Sequence, residues 1–378
     1  MDIQLFAVDT WALDTERRTI DIANEIARYL VEENPWLTIL LQSRKETTSD
    51  PEFKWWEEDV YGYWTQINFV AGYPLGTELT FAVDDETLFA PKDIVKVPRT
   101  GEVMQVVSTD PAHTITVAAR GYGETAGAAM VNDDYFLNLG NAMEENSTAP
   151  AQKIKQPTKL FNYTQISRTP FGASRTVQQS RQVTTEQERS RLTRDKSLDH
   201  RLALERAYLF GERKEDALGK RRLTRGVLKF ITTNVYDASG ELTQAEFDKE
   251  VCEPVFKYGK KTKVMACSAR MVSIVNGWAI QKLEVSQGAK EYGLDLREYV
   301  SPHGRLLLAP CRTFEQYYAY HSAIFDMPNI WLRTLQDTVL NRNIQPNDAD
   351  GFIDEYLTEA GIQVRLEKAH AIIKNATA

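Results

Sequence analysis

Cys267 is the residue of this 378-residue chain best placed for nucleophilic chemistry. It ends the run TKVMAC, which reads as a strand, and precedes ARMVSIVNGW, which reads as a helix capped by Ser268. A thiolate at a helix N-terminus is stabilised by the partial positive charge there. A cysteine nucleophile also needs a base, and no spacing ties His303 or His321 to Cys267. A packed core thiol is therefore the favoured reading. The five histidines, His113, His200, His303, His321 and His370, show no metal-ligand spacing of the HExxH kind, and His200 reads as solvated on a charged helix. Asp348, Asp350, Asp354 and Glu355 crowd like a cation site but miss the EF-hand spacing, so a surface loop with a helix cap accounts for them. Asp84, Asp85 and Glu86 read as a turn in the same way. Gly121, Gly123 and Gly127 spell GxGxxxG, which misses the dinucleotide spacing and follows no strand-to-helix pattern. Asn146, Asn162 and Asn375 begin glycosylation-like triplets that carry no meaning in a cytosolic chain. The expectation is no enzyme, no metal and no cofactor.

The chain is long enough for two or three domains. No apolar run approaches the ~18 residues of a membrane span, and MDIQLFAVDT lacks the basic head and apolar centre of a secretory signal. Cys252, Cys267 and Cys311 are few, odd in number and far apart, which suggests a reduced intracellular chain without a disulfide framework. The net charge of -8 is unevenly spread. Residues 1–60 carry 14 acids and 6 bases, residues 61–150 carry 12 and 4, and residues 151–225 carry 8 acids against 18 bases. An acidic front and a basic middle attract one another between copies as readily as within one.

Residues 185–210 form part of the longest piece without glycine or proline, with Thr185 and Glu188 spaced as a capping box and Leu192, Leu198, Leu202 and Leu209 roughly on one face. Such a helix is about 39 Å long, more than one small core needs covered, and it reads as a strut. It holds six bases and five acids, so the positive excess lies on its flanks. Upstream, Ile22, Ile26 and Leu30 mark an amphipathic helix that Asn34-Pro35 ends, and QSRKETTSDP reads as a loop or arm. Residues 53–68 hold three Trp and two Tyr beside Glu57, Glu58 and Asp59, which suits an arm clamped on a neighbour better than a nucleic-acid platform. From residue 64 to 139 short alternating runs (WTQINFV, ELTFAV, DIVKVP, GEVMQVV, TITVAA, DYFLNL) separated by turn residues predict a small barrel or sandwich. Beyond the strut, Thr243 and Glu246 cap a second helix that Gly259 ends, and strands at 262–267, 305–309 and 317–325 alternate with helices as in an α/β layer. QPNDADG is a loop, and GIQVRLEKAHAIIKN predicts a strand returning to the strut.

The run LFNYTQISRTPFGAS at 160–174, followed by a charged helix ending AYLFGERKED, resembles the major capsid proteins of tailed bacteriophages, and in particular a subfamily with an NYTQI-x-R-x-PF-x-x-S run. The resemblance is specific over about 157–226. It implies an α+β, Hong Kong 97-like (Johnson) capsid fold. Residues 1–52 would be an N-terminal arm, and 53–183 an extended loop with an inserted β-domain at about 69–150. Residues 184–225 would be the spine helix of the P domain with its following loop, 226–345 the α/β A domain, and 346–378 the return to the P domain. The short N-terminal helix leaves no expectation of a long scaffolding segment before it.

The function implied is a structural subunit that assembles into hexamers and pentamers of an icosahedral head, in the virion, after assembly in the host cytoplasm. Its partners would be further copies of itself, scaffolding, portal and decoration proteins, and packaged double-stranded DNA held non-specifically, with no membrane. Trp55, Trp56, Trp64, Arg213, Lys214, Lys220, Arg221, Arg222 and Arg225 are the expected intersubunit or DNA-side contacts. The alternatives are a soluble nucleic-acid-binding protein using residues 151–225 and an enzyme using Cys267.

Overall fold

The structure, a computed structural model, describes residues 36, 39–40, 44–58, 62–76, 78–148, 156–180, 188–218, 220–280, 290–291, 294–295 and 297–377. The helix expected near 22–30 and the Thr185 cap lie outside these residues. The chain divides into two compact units, Met1–Trp55 with Leu160–Ala378, and Trp56–Lys159.

The first unit holds two sheets. A four-stranded sheet runs in the order Arg44–Thr47, Ile330–Asn341, Gly351–Val364, Gln165–Ser174, with only the first pair parallel. QSRKETTSDP thus contributes an edge strand rather than a free loop. Pro170 has no N–H to give a ladder, and it is tolerated because Gln165–Ser174 is the opposite edge. The helix Glu188–Phe210 packs on this sheet through His200, Leu204, Tyr208 and Leu209, which are buried. At about 34 Å it is the expected strut. Leu192, Leu198 and Leu202 are only half-buried. His200 is the correction, since it is buried rather than solvated, with Nδ1 and Nε2 each 2.8 Å from the hydroxyls of Thr169 and Thr358.

The second sheet has six strands in the order Val235–Glu241, Ala371–Thr377, Ser322–Phe325, Thr262–Cys267, Arg305–Pro310, Arg297–Val300. Its centre, Thr262–Cys267, is parallel to Arg305–Pro310 and antiparallel to Ser322–Phe325. From Val264 to Cys267 this strand is apolar because both its faces are covered, and the buried Lys263 ammonium beside them donates to the carbonyls of Tyr258 and Ala369. Val264 and Ala266 enter a core shared with Leu204, Leu209, Phe325 and Ile362. Met265 and Cys267 enter a second core with Phe247, Val251, Met271 and Val275. That second core is roofed by the helical run from Gln244 to Phe256, opened by the Thr243–Glu246 capping box, and by the helix Ala269–Ile280.

Three expectations change here. Ile330–Asn341 belongs to the sheet under the long helix, not to the layer expected at 226–345. The C-terminal run is two strands, because a 3-10 turn at Glu367–Ala369 carries the chain from one sheet into Ala371–Thr377 of the other. The run expected as a strand at 317–325 begins as the 3-10 turn Gln316–Tyr320, and only Ser322–Phe325 is extended.

The second unit is a barrel. Its strands run in the order Trp64–Gln66, Tyr135–Asn141, Asp93–Lys96, Val103–Asp110, Thr114–Val117, Thr80–Ala82. A bridge between Ile67 and Val83 joins the first strand to the last and closes the ring. Phe81, Met104, Ile115 and Phe136 fill the interior. The outgoing segment 53–68 is therefore divided: Glu52–Glu57 pairs with Thr158–Tyr163, whereas Trp64–Gln66 is already barrel.

Candidate assembly surfaces

The motif NYTQI converges on the root of a hairpin. Asn162 is fully buried, and its amide donates to the carbonyls of Ile362 (2.7 Å) and Arg225 (3.1 Å) and to the Thr224 hydroxyl (3.2 Å). Its oxygen accepts from the amides of Arg225 (2.8 Å) and Tyr163 (2.9 Å). Only a carboxamide offers both donors and acceptor in this arrangement. Gln165 accepts from the Thr224 amide at 3.3 Å, and Ser174 caps the short helix Arg175–Gln179.

The hairpin pairs Lys214–Glu215 with Arg222–Leu223. Its two ends meet where the amide of Gly226 donates to the carbonyl of Gly211 at 2.8 Å. A Cβ on Gly226 would lie 2.5 Å from the Leu209 carbonyl oxygen and 2.6 Å from the Gly211 nitrogen. The backbones cross so closely that a side chain has no room.

The six expected cations divide into two groups. Arg213 donates to the Phe161 carbonyl at 2.8 Å and lies 3.7 Å over that ring. Arg222 pairs with Glu215 at 2.8 Å. Half-buried Arg225 donates to the Lys229 carbonyl and covers the Phe230 ring at 4.6 Å. These three hold the hairpin in place. Lys220 and Arg221 are exposed in the turn beside Leu218, which is 75 % exposed, and Lys214 is exposed at the root end of the ladder, paired with Leu223.

The tryptophans also divide. Trp55 is buried against Phe53 and Phe230 in the core of its own chain, so its ring is not available to a neighbour, which corrects that expectation. Trp56, the next residue along the strand, faces the other way and is 64 % exposed, and Trp64 on the barrel is 44 % exposed beside Tyr135.

The residues considered for chemistry are structural in geometry. Burial pushes the Cys267 thiol up to about 12, so it is protonated at neutral pH, and its Sγ donates to the Ala309 carbonyl at 3.9 Å. Asp354 is buried and held by the Arg189 guanidinium at 2.8 and 2.9 Å, and Asp350 pairs with Arg175 at 3.1 Å. Among the described residues, no group of three or more His, Cys, Asp or Glu could hold a metal ion. The glycine loop wraps an internal carboxylate. Glu102 accepts from Arg120 (2.7 and 2.9 Å) and from the amides of Gly121 and Ala128 (3.0 Å each). Burial opposes the charge of Glu102, but Arg120 and the two amides outweigh it and hold the carboxyl below its ordinary range. A loop that already encloses a carboxylate has no room for a phosphate.

The expected contact list omits an exposed apolar loop at 69–75 of the barrel, with Val70 91 % and Leu75 67 % exposed. The available signal was a stretch without any charged residue from Val60 to Thr77, in an otherwise acidic segment.

The fold has relatives among solved structures. A chain of Mycobacterium phage Bobi superposes with a TM-score of 0.54 at 6 % identity, covering 99 % of this chain and 100 % of the other. The capsid of a native GTA particle gives 0.50 at 10 % identity over 99 % and 100 %. Identities this low establish the mixed α/β, multi-sheet fold alone. No curated protein matches by sequence. The family model for the SU10 major capsid protein matches residues 8–377. The chain therefore belongs to the SU10 major capsid protein family, as a structural subunit of the virion shell of a tailed phage.

Proposed function

We propose that this subunit builds an icosahedral head from hexamers and pentamers through a Hong Kong 97-like division of labour. Residues 1–35 act as the arm, since Trp36, Ile39 and Leu40 are buried in the core and Arg44–Thr47 is a strand of the four-stranded sheet. Residues 52–163 form an extended loop that carries the barrel, and the returning chain joins the sheet at Gln165. Glu188–Phe210 with the four-stranded sheet makes the spine layer, and the six-stranded sheet with its two helices makes the layer that packs round the local axes. The observation that carries this reading is the hairpin at 214–223. It is anchored by Asn162 and the Gly211–Gly226 crossing, yet it presents Lys214, Lys220, Arg221 and Leu218 outward. A rigid mount for exposed cations gives no advantage in an isolated monomer, where solvated lysines need no fixed direction. Between copies it sets orientation, because charge complementarity fixes register more than affinity. Trp56 and Trp64 supply apolar area at the same kind of contact. Scaffolding, portal and decoration proteins are the further partners, with assembly in the host cytoplasm. DNA is held without sequence preference on the inner face, since a chain of net charge -8 cannot grip phosphates along its length.

The test is charge reversal at Lys214, Lys220 and Arg221 together, with particles examined by sedimentation and electron microscopy. The expected outcome is a folded subunit that forms no normal shells. Normal particles from this triple variant would refute the register role of the hairpin.

A further inference from the structure

The apolar loop of the barrel is held in one shape by its backbone. The amide of Gly72 donates to the Phe69 carbonyl at 2.9 Å, and the Phe69 amide donates to the Asn132 side chain at 2.9 Å. Tyr73 and Met130 exchange both amide–carbonyl bonds at 2.8 Å, and the Tyr73 hydroxyl accepts from the Ala82 amide at 2.8 Å. The Phe69 ring stacks on Tyr73 at 4.9 Å. Phe69, Val70, Leu75 and the adjacent Val131 are nonetheless exposed. A contiguous apolar tip fixed in place and left in water is a contact surface. Its rim is acidic, with Glu78 and Asp133 exposed and the loop itself uncharged.

The geometry points to the basic hairpin of a second copy of this chain as the surface that receives the tip. The hairpin is its complement, with exposed Leu218 in the turn, Lys220 and Arg221 next to it, and Lys214 exposed at the other end of the two-residue ladder. Apolar centre meets apolar centre while an acidic rim meets a basic one. A tip-to-tip contact between copies would instead bring two acidic rims together, which like-charge repulsion opposes. The tip and the hairpin are different patches, so the contact is heterologous and propagates head to tail until a rotation closes it, as in a ring of five or six. This inference rests on the reading of the hairpin as an intersubunit surface, and it names the patch on the other side.

The experiment uses the full chain, with subunit folding checked by thermal melting. Val70→Asp places a charge at the most exposed point of the tip, where no packed neighbour is lost. Glu78→Lys with Asp133→Asn removes the acidic rim, the asparagine suiting the left-handed backbone at position 133 (φ 65°). Each is expected to reduce the fraction sedimenting as shells at least tenfold. Combining Glu78→Lys and Asp133→Asn with Lys220→Glu and Arg221→Glu is expected to recover most of it, which a merely structural role for either patch would not produce. If the hairpin reversal blocks assembly while folded tip variants form normal shells, the tip inference is overturned and the hairpin reading stands. If the tip variants fail and the combination does not recover, the pairing of these two patches is likewise overturned. Normal shells from the hairpin reversal overturn both.

Discussion

At the scale of single residues, His370 shows how one buried side chain couples stability to pH. Its Nδ1 accepts from the Asp326 amide at 3.1 Å, so the proton must sit on Nε2, which lies 3.1 Å from the Arg365 carbonyl. A second proton would break the first bond and charge a ring buried in the core. Burial accordingly pushes this imidazole down to about 4. Burial lowers His200 and His321 in the same direction. Above pH 6.5, His370 is neutral in both folded and unfolded chains and stability is unaffected. As pH falls below 6.5 the unfolded chain takes up the proton first, so stability is lost down to about pH 4. Between pH 7 and 5 the loss from His370 is about 2 kcal/mol, at 1.36 kcal/mol per unit. Urea midpoints at the two pH values check this, and His370→Gln is expected to flatten that part of the slope whatever its own stability. An unchanged slope would refute the assignment.

At the scale of elements, the joint between the long helix and the hairpin is the most demanding piece of backbone. Gly211 and Gly226 meet where the helix ends and the hairpin closes, and the clashing atoms for a Gly226 side chain are backbone, which cannot rotate away. Gly226→Ala is therefore expected to lower stability by about 2–3 kcal/mol, in the range of overpacked sites. It should also speed hydrogen exchange at 212–225, because the crossing is what holds the hairpin. Unaltered exchange with unaltered stability would show that the crossing is not needed. The buried face of the long helix illustrates a related point. Its leucines predict one stripe, but the sheet beneath offers Thr169 and Thr358, and His200 turns towards them.

At the scale of the whole molecule, the chain makes two compact units, the second inserted within the sequence of the first. Among the described residues the barrel closes through the Ile67–Val83 bridge, which leaves its strands paired with one another, and it carries its own ion pair between Glu102 and Arg120. A fragment of residues 56–159 is expected to fold alone, with a cooperative thermal transition and dispersed amide resonances. A fragment that stays unfolded in both measurements would count against the division. For the assembled head, this organisation separates two tasks. The first unit carries the basic hairpin and the second carries the acidic, apolar tip, so under the proposed pairing each subunit would offer one half of a contact and receive the other. The shell then gains strength by repeating a modest interface many times.

Local patterns were enough to find the barrel strands, the strut, the Thr243 capping box and the Thr262–Cys267 strand, because turn residues, capping pairs and periodicity act over a few residues. The NYTQI run carried the family resemblance, and the structure shows its Asn162 meeting five backbone and side-chain partners at once. What the tertiary structure alone decided is where each segment's contacts come from. Ile330–Asn341 and Ala371–Thr377 have ordinary strand sequences, and only long-range pairing sends one to each sheet. Trp55 and Trp56 are the same residue type in adjacent positions, and the pleat buries one and exposes the other. Arg213, Arg222 and Arg225 count as charge in the sequence, but the distant Phe161 occupies the first, the facing Glu215 the second, and the nearby Lys229 carbonyl and Phe230 ring the third. The exposed remainder, Lys214, Lys220 and Arg221, could be recognised only once those partners were in place.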